Sequence, residues 1–272
     1  MVKKLIKHEF VYYVRTLGLA LPIVLLMGIM TRLFHLFRNG SVINEIAAYS
    51  STALFIIASI ALIVLSTVIS VVRFYKNMYS SEGYLTFTLP VTNHQHLLVK
   101  LGFAMVSQAA CLLTVFLAIA IASFEVPEGF NIFKTVRYLF EQLFWGCGTA
   151  NAILYIIEGI LLLFLGSAFG FLLYYACITV GQTAKKNRIL MAVGAYFIYY
   201  VATQVVSTVL VMLVTVVGLS GGFFTSIIDW LAEHPMEMMH IYMTVGVVSY
   251  AVLTVAAYIV THRIMTKKLN LE

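Results

Sequence analysis

The sequence predicts an all-α integral membrane protein, and three observations carry that prediction. Apolar residues make up 62% of the chain and charged residues only 10%, where ordinary soluble domains sit at about half apolar and about a quarter charged. Mean hydropathy is +0.98. The apolar residues also gather into long runs, and six of these reach the ~20 residues that a helix needs to cross the hydrocarbon core. With 272 residues, the chain is read as one membrane domain, 1–272, with no room for a separate soluble catalytic domain.

Residues 1–16 come first and are amphipathic. Val2, Leu5, Ile6, Phe10, Tyr13 and Val14 recur at helical spacing, and Lys3, Lys4, Lys7 and His8 take another face. That pattern predicts a helix lying in the membrane interface. Charge interrupts the stretch too often for the uncharged core of a cleavable signal peptide.

Six spans follow: about 17–37, 47–72, 97–124, 150–180, 189–217 and 241–260. The first is the weakest, because Arg32, His35 and Arg38 crowd its outer third. Either it ends early, or those side chains snorkel or face protein. Two connections hold further apolar patterns. Ile132 to Phe144 keeps an i, i+3, i+4 stripe, with Lys134, Arg137 and Glu141 off it. Phe223 to Leu231 is a second short apolar stretch. Both are expected to be interfacial or re-entrant helices.

Charge sets the expected orientation. With the N-terminus inside, thirteen of the 17 basic residues fall on inner segments. The Lys/Arg bias therefore predicts six helices with both termini cytoplasmic. Seven of the 11 acids fall on outer segments, which agrees. The net charge of +6 reads as this inner bias, and nucleic acid is not an expected partner.

The segment from Arg73 to Lys100 is richer than a turn between two spans requires. It holds Phe74-Tyr75-Lys76-Asn77, then Glu82-Gly83-Tyr84-Leu85, then Thr86-Phe87-Thr88-Leu89-Pro90, and a polar restart leading to Lys100. Pro90 fixes its own φ and biases Leu89 away from helix. Tyr75, Tyr79, Tyr84 and Phe87 offer contact area, and Glu82 a charge. Lipid contact accounts for aromatics at headgroup level but not for the Glu-Gly pair or the Leu-Pro stop.

These residues resemble the first cytoplasmic loop of ABC-2 type transporter permeases, the membrane subunits of ATP-binding cassette systems. The opening Lys4-Leu5-Ile6-Lys7-His8-Glu9-Phe10 and the closing Lys267-Lys268-Leu269-Asn270-Leu271-Glu272 also look like the ends of bacterial members. The resemblance implies a type V exporter-like fold in the bacterial cytoplasmic membrane. It implies that 73–96 is a coupling loop docking on an ATPase subunit through Tyr75, Lys76, Tyr79, Glu82, Gly83, Tyr84, Leu85 and Pro90. A second permease copy or a paralogue would complete the pathway among the membrane lipids. The P-loop pattern GxxxxGK[ST] does not occur in the sequence, so this chain is expected to bind no cofactor, with ATP and magnesium on the partner.

Glu158 is the one acid deep in an apolar span. Intramembrane carboxylates are costly and face protein or a wet cavity. It is read either as a pathway residue or as a structural hydrogen-bond acceptor, with Gln108 and Gln204 as candidate partners and fellow pathway residues. Gly166 to Gly170 is a small-xxx-small pattern expected to let two helices approach closely. His94 with His96, and His234, Glu237 and His240, invite a metal reading, but their spacing favours structural roles. Cys111, Cys147 and Cys177 show no paired spacing and read as small apolar fillers. Neither HExxH nor G-x-S-x-G occurs, so no enzyme activity is expected of the chain itself. The alternatives to an exporter of amphipathic cargo are an intramembrane enzyme and a non-transporting membrane anchor or sensor partner.

Overall fold

The computed structural model describes residues 2–37, 41–80, 91–124, 131–184, 186–219 and 233–267, together with Gly83, Ser226, Asp229 and Trp230. Among them all regular structure is helical. The helices are α1 (Val2–Leu17), α2 (Ala20–Leu36), α3 (Val42–Tyr79), α4 (Asn93–Ala122), α5 (Ile132–Cys147), α6 (Thr149–Gly181), α7 (Arg188–Leu219) and α8 (Pro235–Lys267). Six stretches are long and apolar enough to cross a membrane: α1–α2 taken together, α3, α4, α6, α7 and α8. The chain is a multi-pass membrane protein by this measure, and its membrane domain is built from two compact units, 1–146 and 147–272.

In the first unit α2, α3 and α4 pack on one another, and α1 lies against α4 and α2. The buried face of α3 runs through Ala48, Ser51, Phe55, Ser59, Leu62, Ser66, Ile69 and Arg73. That is a three- and four-residue step, one continuous seam along the helix. Serines recur on it because small residues let backbones approach where water offers no hydrophobic drive. The hydroxyls of Ser51 and Ser59 are satisfied within the helix, donating to the carbonyls of Ala48 and Phe55 at 2.8 Å each. α2 and α4 approach closely at Gly28 of α2, where a Cβ would stand 2.8 Å from the carbonyl oxygen of Ala118 on α4.

The first span therefore does form a helix, and Thr31, Arg32 and His35 in its C-terminal third meet protein groups. The Arg32 guanidinium lies over the Phe124 ring at 4.9 Å. His35 Nε2 is 2.9 Å from Thr52 Oγ1, and Thr31 donates to the carbonyl of Ser51 at 3.3 Å. Arg38 lies outside the described residues. Between α1 and α2 the chain turns at Gly18, whose missing Cβ would otherwise run into the Val14 carbonyl oxygen. The amphipathic stretch expected at 132–144 is α5. Asn131 Oδ1 caps it, accepting from the amides of Phe133 and Lys134 at 3.0 and 3.2 Å. Most of the stretch expected at 223–231 lies outside the described residues.

In the second unit α6 packs along α8 and also against α7. Tyr174 stacks on Tyr196 at 5.6 Å, and Phe169 meets Tyr199 and Tyr250 at 6.1 and 6.0 Å. Gly181 makes room for the start of α7, since a Cβ there would meet Ala192 at 2.7 Å. Beyond Tyr200, residues 201–216 of α7 are exposed on every side. The Gly166–Gly170 pair is not a seam: a Cβ at either position would meet nothing within 4 Å.

Candidate functional site at the root of the 80–92 connection

The connection expected over 73–96 is shorter than the sequence suggested. α3 continues through Tyr79 and α4 begins at Asn93, so residues 73–79 and 93–96 are helical stems. Helix continues because the buried step of α3 persists to its end: Phe74 and Met78 are wholly enclosed. Of the residues named for docking, Lys76 is exposed and Tyr75 half-buried. Tyr79, expected to present contact area, is instead buried, its ring packed edge-on to Phe74 at 5.8 Å. Gly83 folds back on the end of α3. Its amide donates to the Ser80 carbonyl at 2.7 Å, and a Cβ would stand 2.7 Å from the Met78 carbonyl oxygen. Glycine at 83 is thus a requirement of close backbone approach. Glu82, Tyr84, Leu85 and Pro90 lie outside the described residues.

The second stem starts from a capping box. Gln95 N donates to Thr92 Oγ1 at 3.4 Å, and Thr92 N donates to Gln95 Oε1 at 3.3 Å. Two amides that open the helix are thereby satisfied.

Below both stems lies a buried polar cluster. Glu9 of α1 has no exposed surface. Its Oε1 accepts from Lys100 Nζ at 3.0 Å and from Asn77 Nδ2 at 3.2 Å, and its Oε2 accepts from Arg73 Nε at 3.3 Å. Arg73 also places its guanidinium 3.9 Å from the centre of the Tyr12 ring, with one nitrogen 3.1 Å from His8 Nδ1. His96 of α4 is enclosed as well, and among the described residues neither of its ring nitrogens has a hydrogen-bond partner. A buried carboxylate is tolerable only when paired and hydrogen-bonded, and Glu9 meets both conditions with groups drawn from α3 and α4.

The sequence reading passed over Glu9. A signal was present: Arg73 and Lys100 sit at the ends of apolar helices and need a countercharge, and Glu9 is the one acid on a basic helix. The apolar stripe expected on α1 holds in part. Ile6, Phe10 and Val14 are exposed, as a lipid-facing stripe would be, while the face turned to the protein is Glu9, Tyr13 and Leu17.

A second polar site lies in the second unit. Glu158 of α6 meets His240 of α8, with Nδ1 3.0 and 3.2 Å from the two carboxylate oxygens. Thr244 donates to the same carboxylate at 3.5 Å. The His240 ring stacks on Tyr155 at 4.0 Å, and the Tyr155 hydroxyl donates to the Met236 carbonyl at 2.9 Å. The expected partners are elsewhere. Gln108 accepts from Thr67 at 3.4 Å within the first unit. Gln204 is exposed on α7. Sequence spacing flagged Glu158 and His240 separately and missed the pairing, because a contact between helices leaves no local pattern. Among the described residues no group of three or more His, Cys, Asp or Glu side chains is placed to hold a metal. His234 instead stacks on Trp230 at 4.6 Å.

Compared with models of protein families, with curated proteins and with solved structures, the chain matches none of them.

Proposed function

We propose that this chain is the membrane permease subunit of an ATP-binding cassette transporter of the bacterial cytoplasmic membrane. It would export an amphipathic cargo, a lipid, hydrophobic peptide or drug, with ATP hydrolysed on a separate subunit. The observation that carries the reading is the construction of the 80–92 root. Both stems are rigid helices, one closed by buried Phe74 and Met78 and the other by a capping box. A soluble ATPase can drive membrane helices only through a stiff attachment, because a slack loop absorbs the motion.

The mechanism follows from that stiffness. ATP closes the partner dimer, the connection carries the closure to α3 and α4, and the bundle of two permease chains changes its access. The shift in population comes from the different affinity of ATP for the two states, since a ligand with no differential affinity shifts nothing. With both termini cytoplasmic, as the Lys/Arg bias indicates, the 80–92 connection is on the ATP side. Purification of the full-length protein from its native membrane tests the reading. A soluble P-loop protein is expected in the complex, and replacing 82–85 by a Gly-Ser run is expected to release it. Retention of the ATPase by that variant would remove the docking role from the connection.

One observation favours the intramembrane-enzyme alternative. Glu158 and His240 give it the polar pair on two helices that it requires. That reading predicts a hydrolytic activity that is lost in Glu158→Gln and no P-loop protein in the purified complex.

A further inference from the structure

The buried stripe of α1 does more than seat a helix. Two successive turns of it each reach both helices that carry the 80–92 connection, α3 and α4. Glu9 binds Arg73 and Asn77 on α3 and Lys100 on α4. One turn later, the Tyr13 hydroxyl donates to Ser70 Oγ of α3 at 3.1 Å, and its ring stacks on Phe103 of α4 at 6.1 Å. The grip is also level. Arg73 stands six residues before the end of α3 (73 against 79), and Lys100 seven after the start of α4 (100 against 93).

Simple packing does not ask for this chemistry. Apolar side chains of similar volume hold helices together as well as a buried ion pair does, or better. What the charges add is one carboxylate shared by both helices. Arg73 and Lys100 are both buried, at 9% and 3% side-chain exposure, and both contact the same carboxylate. With Glu9 present the two cations are drawn together across it. Without it, the attraction that draws them together is lost, and like charges at low dielectric repel.

We infer that α1 is a splint: Glu9 is a positioning residue that fixes the spacing of the α3 and α4 stems. A push on the 80–92 connection then reaches both helices as one body instead of spreading them. The mechanical consequence rests on the coupling function proposed above. The splint itself does not, and the two are tested separately.

Spin labels at Val72→Cys and Leu98→Cys, with Cys111, Cys147 and Cys177 replaced by alanine, report the stem-to-stem distance in the reconstituted full-length protein. A narrow distribution is expected in the parent. Glu9→Gln broadens it and lengthens the mean. A Glu9→Gln distribution as narrow as the parent's overturns the splint. Should Glu9→Gln not fold, Glu9→Asp decides, because it keeps the charge and shortens its reach by one methylene. Broadening in Glu9→Asp supports the splint, and an unchanged distribution overturns it.

The same labels in a complex with the co-purified ATPase test the coupling. Nucleotide is expected to move the distance in the parent and not in Glu9→Gln, although both hold the ATPase. Equal movement in both overturns the coupling role of Glu9. If no ATPase is held by the parent, the transporter reading fails and the stem-distance result stands by itself.

Discussion

At Gly28 a single hydrogen in place of a side chain sets the distance between two helices. A Cβ there would stand 2.8 Å from the Ala118 carbonyl oxygen and 3.2 Å from its Cα, and backbone cannot yield as a side-chain tip can. Gly28→Leu is expected to cost about 1–3 kcal/mol through forced separation, read as a lower Tm of the purified protein. Gly166→Ala and Gly170→Ala, which face open space, should leave Tm unchanged or slightly raised, since alanine favours helix over glycine by about 1 kcal/mol. The contrast separates a glycine that packs from one that merely fits a pattern. Glu158 belongs to the same scale. His240→Ala removes its nearest partner and leaves a partly buried carboxylate with Thr244 alone, which should destabilise by about 1–3 kcal/mol. His240→Gln, which can still donate, should recover part of that loss in the same melting experiment.

Helices were legible because their signals are local. Every span expected from apolar runs is a helix, and most ends fall within about a turn of the expected ones, though the last span, expected at 241–260, extends about two turns further at each end as Pro235–Lys267. A second exception is instructive. Residues 73–79 carry charge and aromatics, so they read as connection, yet their buried step of Phe74, Asn77 and Met78 continues the seam of α3. Tertiary packing decides such a boundary, because polar residues extend a helix when partners wait for them. At the other stem the cap is written in the sequence, Thr92 with Gln95 three residues on. Thr92→Ala should cost about 1 kcal/mol and speed hydrogen exchange at the first turn of α4, leaving later turns as they were. α7 is the opposite case. Its residues 201–216 are exposed throughout, and nothing in its own composition says what lies beside them.

For the whole molecule, the orientation taken from the basic residues makes a prediction by side of membrane. Trp145 of α5 is 88% exposed. Trp145→Cys in the cysteine-free background should react with a membrane-impermeant maleimide on intact cells. Lys76→Cys, at the end of α3, should react only after the membrane is opened. Labelling in the reverse order would invert the topology and carry the 80–92 connection away from ATP. Membrane class, number of spans and the expected sidedness all came from hydropathy and charge, which are sums over residues and need no contacts. The pairings came only from the tertiary structure. Glu9 with Arg73 and Lys100 spans 64 and 91 residues of sequence, and Glu158 with His240 spans 82. Sequence shows that each of these buried charges needs a partner, because leaving one alone in a low dielectric is too costly. Which partner it takes depends on helices brought side by side, and that is a property of the packed chain, not of any stretch within it.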